Sequence, residues 1–257
     1  MSFVKINGNK VYFETHGGGE PIVLLHHGFG CTKMWKDIYP ALVSEGYRVI
    51  MYDRRGYGQS EPGPDFKAFY VSDRFRSESV LELDSLVNYL GIDSFHAVGQ
   101  CEGGVVAVDF AATYHDRVKS VMTSSTQCYS QIPMAAFNEA KFPDVFQDLE
   151  PELKEKLVLW HGKERAEPFF NQFRRFGGAY GKNVFDLRPV LPRVVCPALV
   201  LYPDRSFLFD VEQGIAFYYH LASGELAVLP KCGHNTYEHR PHEYVRQVLA
   251  FLERHSF

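Results

Sequence analysis

The chain has no run of about 18 apolar residues, the length a helix needs to cross a bilayer. Its opening, Met1-Ser2-Phe3-Val4-Lys5-Ile6-Asn7-Gly8, shows no positively charged segment followed by an apolar one. Neither a membrane span nor a secretory leader is expected, and the expected compartment is the cytoplasm. Basic blocks are missing too, and the formal net charge at pH 7 is −4. That balance points away from nucleic acid and anionic membrane as partners. Cysteine is sparse: Cys31, Cys101, Cys128, Cys196 and Cys232 are odd in number, far apart and free of any C-x-x-C pair. Neither a disulfide framework nor a zinc site is expected, so these read as free thiols. His239 and His242 stand near His234 without a carboxylate cluster beside them, so no metal site is expected.

What remains is a chain of 257 residues, enough to bury a large core as one α/β domain with an insertion. It is organised around Gly99-Gln100-Cys101-Glu102-Gly103-Gly104. The apolar run Phe95 to Val98 before it reads as a buried strand, and Val105 to Tyr114 after it as a helix. An isolated cysteine is often an inert core residue. Here the G-x-C-x-G spacing between strand and helix is that of a nucleophile elbow with cysteine at its centre. Such a turn lifts the central side chain above the sheet in a strained conformation. The free N–H groups at the helix start face the thiol and are expected to favour thiolate. Cys101 is the candidate nucleophile.

Taken in order, Phe3 to Ile6 and Lys10 to Thr15 flank Asn7-Gly8, a hairpin signal. Pro21 to His26 is a continuous apolar run of the kind a central parallel strand shows, ending in His27-Gly28-Phe29-Gly30. Met34 to Glu45 has helical spacing, with Gly46 placed to stop it. Tyr47 to Tyr52 reads as a strand, Pro62 to Phe75 as a connector, Arg76 to Leu90 as a helix and Val118 to Thr123 as a strand. From Thr126 to Pro192 the strand pattern gives way to helical stretches rich in aromatics and punctuated by Pro133, Pro143, Pro151 and Pro168. Ala198 to Tyr202, a helix over Val211 to Leu221, and the strand Glu225 to Leu229 follow, and then Cys232-Gly233-His234.

The H-G-x loop at residues 27–29, the run Asp53-Arg54-Arg55-Gly56-Tyr57-Gly58-Gln59-Ser60, the elbow and Gly233-His234 occur in an order that resembles the α/β-hydrolase superfamily. The resemblance implies a mostly parallel eight-stranded sheet flanked by helices, with core segments 1–125 and 193–257 and a helical cap at 126–192. It implies that His234 is the base and that the N–H groups of Phe29 and Glu102 form an oxyanion hole, which acyl transfer needs. The D-x-R-G-x-G-x-S run is expected to be structural, with an Asp-Arg pair tying it down. His27, Gly28, Trp160, Phe173 and Arg174 are candidate substrate contacts.

One position departs from the family pattern. The acid that orients the histidine normally falls where this chain has Ser206, in Pro203-Asp204-Arg205-Ser206-Phe207. Asp204 is two residues early and Asp210 four late. Asp204 is the preferred substitute, provided that the loop is reshaped. The other known location reads Ser124-Ser125-Thr126-Gln127 and offers no acid. Ser206 is able to orient the ring by accepting a hydrogen bond from it. A cysteine depends less on a strong base than serine does, because its thiol, with an unperturbed pKa of about 8.5, is closer to ionising.

The resulting expectation is a cofactor-independent hydrolase that cleaves a small-molecule ester, thioester or lactone through a Cys-His acyl-enzyme, with the histidine Nε2 within about 4 Å of the sulfur. Cleavage of a carbon–carbon bond in a diketone is a related outcome. An acyltransferase and a ligand-binding pseudoenzyme are the alternatives, and the sequence says nothing of oligomeric state.

Overall fold

A computed structural model describes residues 2–255. Strands β1 (Ser2–Ile6), β2 (Asn9–His16), β3 (Pro21–Leu25), β4 (Arg48–Tyr52), β5 (Phe95–Gln100), β6 (Val118–Ser124), β7 (Ala198–Pro203) and β8 (Gly224–Leu229) form one sheet in the order β1-β2-β4-β3-β5-β6-β7-β8. β2 runs antiparallel to β1 and β4, and every other pair is parallel. The Asn7-Gly8 turn makes the opening hairpin, with both residues at positive φ. Strand β3 is apolar from end to end, and β5 and all of β6 but Lys119 are buried, because both faces of the sheet are covered.

The helices are α1 (Tyr39–Ser44), α2 (Phe66–Tyr70), α3 (Phe75–Tyr89), α4 (Glu102–Thr113), α5 (Met134–Lys141), α6 (Pro151–His161), α7 (Lys163–Phe176), α8 (Glu212–His220), α9 (Thr236–His239) and α10 (Pro241–Arg254). One core joins the buried faces of α3, α4 and α8 to the sheet and to the aromatics of α5 and α7. The other covers the opposite face with Trp35, Leu42 of α1, and Tyr244, Val248 and Phe251 of α10. Spacings of four and three put those α10 residues on one helical stripe.

Two expected elements differ. Met34 to Glu45 is not one helix: a 3₁₀ turn covers Thr32–Trp35 and α1 begins only at Tyr39. Pro40 has no N–H and disfavours helical geometry at the residue before it, so it starts a new helix. Gly46, at φ 87°, stops α1 as expected. The connector Pro62 to Phe75 contains α2.

Between β6 and β7 lie α5, α6 and α7, with a 3₁₀ turn at Phe146–Asp148 between α5 and α6 and two more, Gly178–Tyr180 and Leu191–Arg193, after α7. Pro133 precedes α5 and Pro151 opens α6, as punctuation should. Pro168 instead sits inside α7. Among the described residues no helix is long and apolar enough to cross a membrane.

Candidate active site

The registry of the sheet brings the site together at the carboxyl ends of its strands, where ligands of such sheets bind. Leu25 pairs with Gly99, so the loop after β3 lies beside the elbow, and Gln100 pairs with Ser124. The loops after β7 and β8 carry Ser206 and His234.

Cys101 has φ 52° and ψ −114°, a conformation that side chains other than glycine rarely adopt. It costs on the order of 1–3 kcal/mol and persists only when the surroundings enforce it. They do: an added Cβ at Gly99 would stand 2.4 Å from the Gly103 carbonyl oxygen, and one at Gly103 2.1 Å from that of Leu25. The flanking glycines are thus required by close approach of backbone.

Cys101 is 6% exposed, and its sulfur borders a cavity of about 650 Å³. His27, Gly28, Phe29, Phe137, Phe142, Trp160, Phe173, Tyr180 and His234 share that cavity, so most of the expected site is brought together. Arg174 is not part of it. Its guanidinium donates to the Phe142 carbonyl at 3.2 Å and pairs with Asp144.

The expected thiolate is not the resting state. Burial pushes the Cys101 thiol up to about 12, against the opposing influence of the Tyr180 hydroxyl and the Glu102 N–H. A helix N-terminus is worth only about 0.3–1 kcal/mol in most settings, less than the cost of taking an anion out of water. The sulfur's hydrogen-bond partner is the Tyr180 hydroxyl at 3.5 Å. Among the described residues no hydrogen bond joins it to His234. Tyr180 also accepts from the Gln127 N–H at 3.2 Å, which fixes its oxygen beside the elbow. The sequence marks this tyrosine only as one of the many aromatics between Thr126 and Pro192.

Burial also holds His234 down, to about 3, with the nearby His239 adding a smaller push. At neutral pH both partners of the pair are uncharged. His234 Nδ1 lies 3.1 Å from Ser206 Oγ. The position of the missing acid is therefore the position that meets the ring. Asp204 does not reach it: its carboxylate accepts from the Cys232 N–H at 3.0 Å, and the N–H groups of Cys232 and Lys231 hold it below its usual range. Asp210 accepts from the Glu212 N–H at the start of α8. Both acids are drawn to backbone donors next to them in the fold, and neither is free to turn inward.

The segment that offers no acid has another use. Ser125 Oγ, Gln100 Nε2 and the Thr236 N–H all donate to the His234 carbonyl, at 2.6, 2.9 and 3.0 Å. Thr236 Oγ1 in turn donates to Gln100 Oε1 at 2.9 Å. This buried clamp ties the histidine loop to the ends of β5 and β6.

The expected oxyanion donors are not both free. The Phe29 N–H donates to His27 Nδ1 at 3.1 Å, and the other ring nitrogen of His27 meets the Tyr237 hydroxyl at 3.0 Å. The Glu102 N–H faces the sulfur. The Glu102 side chain lies inside the protein, where its carboxylate accepts from Arg54 at 2.5 Å and Tyr57 at 2.8 Å. Arg54 therefore pairs with the elbow and not with Asp53. Asp53 ties two loops together by accepting from the Thr32 and Gln59 N–H groups, both at 2.7 Å, which corrects the expected Asp-Arg pair.

Residues 20–186 match the family model described as alpha/beta hydrolase fold. The chain belongs to the α/β-hydrolase family. A 2-hydroxy-6-oxo-6-phenylhexa-2,4-dienoate hydrolase of Burkholderia cepacia is 22% identical over 97% of this chain and 95% of the relative. Two solved structures share the fold. The enol-lactonase from Burkholderia xenovorans LB400 is 21% identical with a TM-score of 0.76, over 98% of this chain and all of the other. A meta-cleavage product hydrolase from Pseudomonas fluorescens IP01 is 16% identical with a TM-score of 0.83, over 99% and 98%. These relatives of the α/β-hydrolase family are hydrolases of small molecules.

Proposed function

We propose that this α/β-hydrolase cleaves a small-molecule ester, thioester or lactone through an acyl group carried on Cys101, without a cofactor. The observation that carries the reading is the sulfur on its strained elbow, facing the same cavity as the His234 ring. The sulfur attacks the substrate carbonyl carbon, and its proton goes to His234 Nε2. The Glu102 N–H holds the oxyanion with the Phe29 N–H, which gives up its bond to His27. As the carbon–oxygen or carbon–sulfur bond to the leaving group breaks, that proton passes to the leaving group. Water then splits the thioester and frees the acid.

Helices α5 to α7 act as a cap over the site, within residues 126–192. They contribute Phe137, Phe142, Trp160 and Phe173 to the cavity, and Phe29 reaches up from the core. Such a wall suits an apolar or aromatic acyl group. Cleavage of a diketone carbon–carbon bond is the second reading. It is supported by the likeness to a relative whose named substrate carries a 2-hydroxyl and a 6-oxo group on one carbon chain.

The test is a panel of aryl esters, thioesters, enol-lactones and 2-hydroxy-6-oxo-dienoates, followed by intact mass spectrometry. Turnover with an acyl adduct on Cys101, both absent from Cys101→Ala, is the expected result. Neither turnover nor adduct across the panel overturns the reading in favour of a ligand-binding protein. Product transferred to an added amine or thiol in preference to water makes it an acyltransferase.

A further inference from the structure

Ser206 Oγ sits among three nitrogen atoms. It lies 3.1 Å from His234 Nδ1, and it accepts from the N–H groups of Leu208 at 3.2 Å and Phe209 at 3.1 Å. A hydroxyl offers one proton and two lone pairs. Backbone N–H groups only donate, so Leu208 and Phe209 take both lone pairs. The hydroxyl proton is what remains for Nδ1, which must then accept it.

We infer that Ser206 is a positioning residue that holds His234 in the neutral tautomer carrying its proton on Nε2. An acid at this position would do the reverse, since an ionised carboxylate only accepts and therefore selects Nδ1–H. It also means that Ser206 does not accept from the imidazole, as the sequence suggested it would. An imidazolium is disfavoured for the same reason, because its Nδ1–H would point at an oxygen whose lone pairs are filled. Burial, which holds this histidine down to about 3, acts in the same direction. The titratable groups near the ring offer it no counter-charge. Cys101 is held neutral by burial, and the nearby His239 disfavours protonation of the ring.

The consequence rests on the hydrolase reading. At rest Nε2 presents a donor to the cavity, and Cys101 passes its proton to His234 only when the ring visits the minor tautomer. In a serine triad, a tautomer set wrongly in this way lowers kcat by about 10⁴. The chain is therefore a slow hydrolase as it stands, and Ser206→Asp supplies the missing setting.

Long-range ¹H–¹⁵N correlation of the histidine rings in the ¹⁵N-labelled protein at pH 7 reads the tautomer directly, with His234 assigned by its loss in His234→Gln. The expected wild-type pattern is protonated Nε2 and bare Nδ1, reversed in Ser206→Asp and closer to an even mixture in Ser206→Ala. Protonated Nδ1 in the wild type overturns the inference whether or not the variants fold. Turnover measured alongside separates the two readings. A rise of about tenfold or more in kcat for Ser206→Asp supports both. The expected tautomers with no turnover by either protein leave the positioning role standing and remove the hydrolase.

Discussion

Opposing influences meet on the Cys101 sulfur. Burial sets the thiol near 12, while the Tyr180 hydroxyl and the Glu102 N–H pull it down. At pH 7 the thiol is then almost wholly protonated, so attack depends on moving the proton as the bond forms. That makes the tautomer of His234 matter more than it would beside a free anion. Tyr180 is the group whose removal tests this. A hydrogen bond to a charged group is worth about 1.5–3 kcal/mol, so Tyr180→Phe should slow alkylation of Cys101 by about tenfold or more at fixed pH. Iodoacetamide labelling read at the Cys101 peptide, with Cys101→Ala as background, checks it. An unchanged rate would mean that the tyrosine only packs. Nothing local in the sequence marks Tyr180, because its value comes from the Gln127 N–H that fixes its oxygen, 53 residues away.

The strand-to-helix turn was legible in the sequence because its requirements are local. Glycines at set distances from Cys101 and the change from an apolar run to a helix lie within a few residues. Ser206 was legible as the position of the missing acid, yet its direction of donation was not, since that depends on the folded backbone at Leu208 and Phe209. The clamp on His234 was not legible at all, because its partners stand 109 and 134 residues apart. Competing local signals account for the broken helix, where hydrophobic spacing ran through Pro40 but the backbone did not. Gln100 joins the two halves of the clamp, and Gln100→Ala removes two buried hydrogen bonds at once. Leaving buried partners unpaired costs about 1–3 kcal/mol, which corresponds to a fall in Tm of about 2–12 °C for a chain of this size. Because Ser125 and Thr236 still hold the His234 carbonyl, the fold should survive, with the ring less well placed and kcat reduced. A thermal melt paired with turnover separates these effects: a lower Tm with unchanged kcat would leave the clamp purely structural.

Across the whole molecule the buried titratable groups set how stability follows pH. His26, His27, His96, His161 and His234 are all held below the ordinary 6.5, chiefly by burial, His161 to about 4 and His234 to about 3. Asp53 and Glu82 are pushed the other way by burial, to about 6 and about 7. The signs oppose. As pH falls below 6.5 the unfolded chain takes up protons on these five histidines more readily than the folded chain does, so stability is lost. Between the ordinary carboxylate range and pH 6 to 7, the folded chain instead binds protons on Asp53 and Glu82 that the unfolded chain has released. Acidification there restores stability from two groups. Five groups against two decide the direction. Tm should fall steadily as pH is lowered from 6.5 to 5, and a melting series across that range is the measurement. A Tm that holds level or rises on acidification would show that the carboxylates prevail, and that the histidines around the elbow are not kept neutral by the fold.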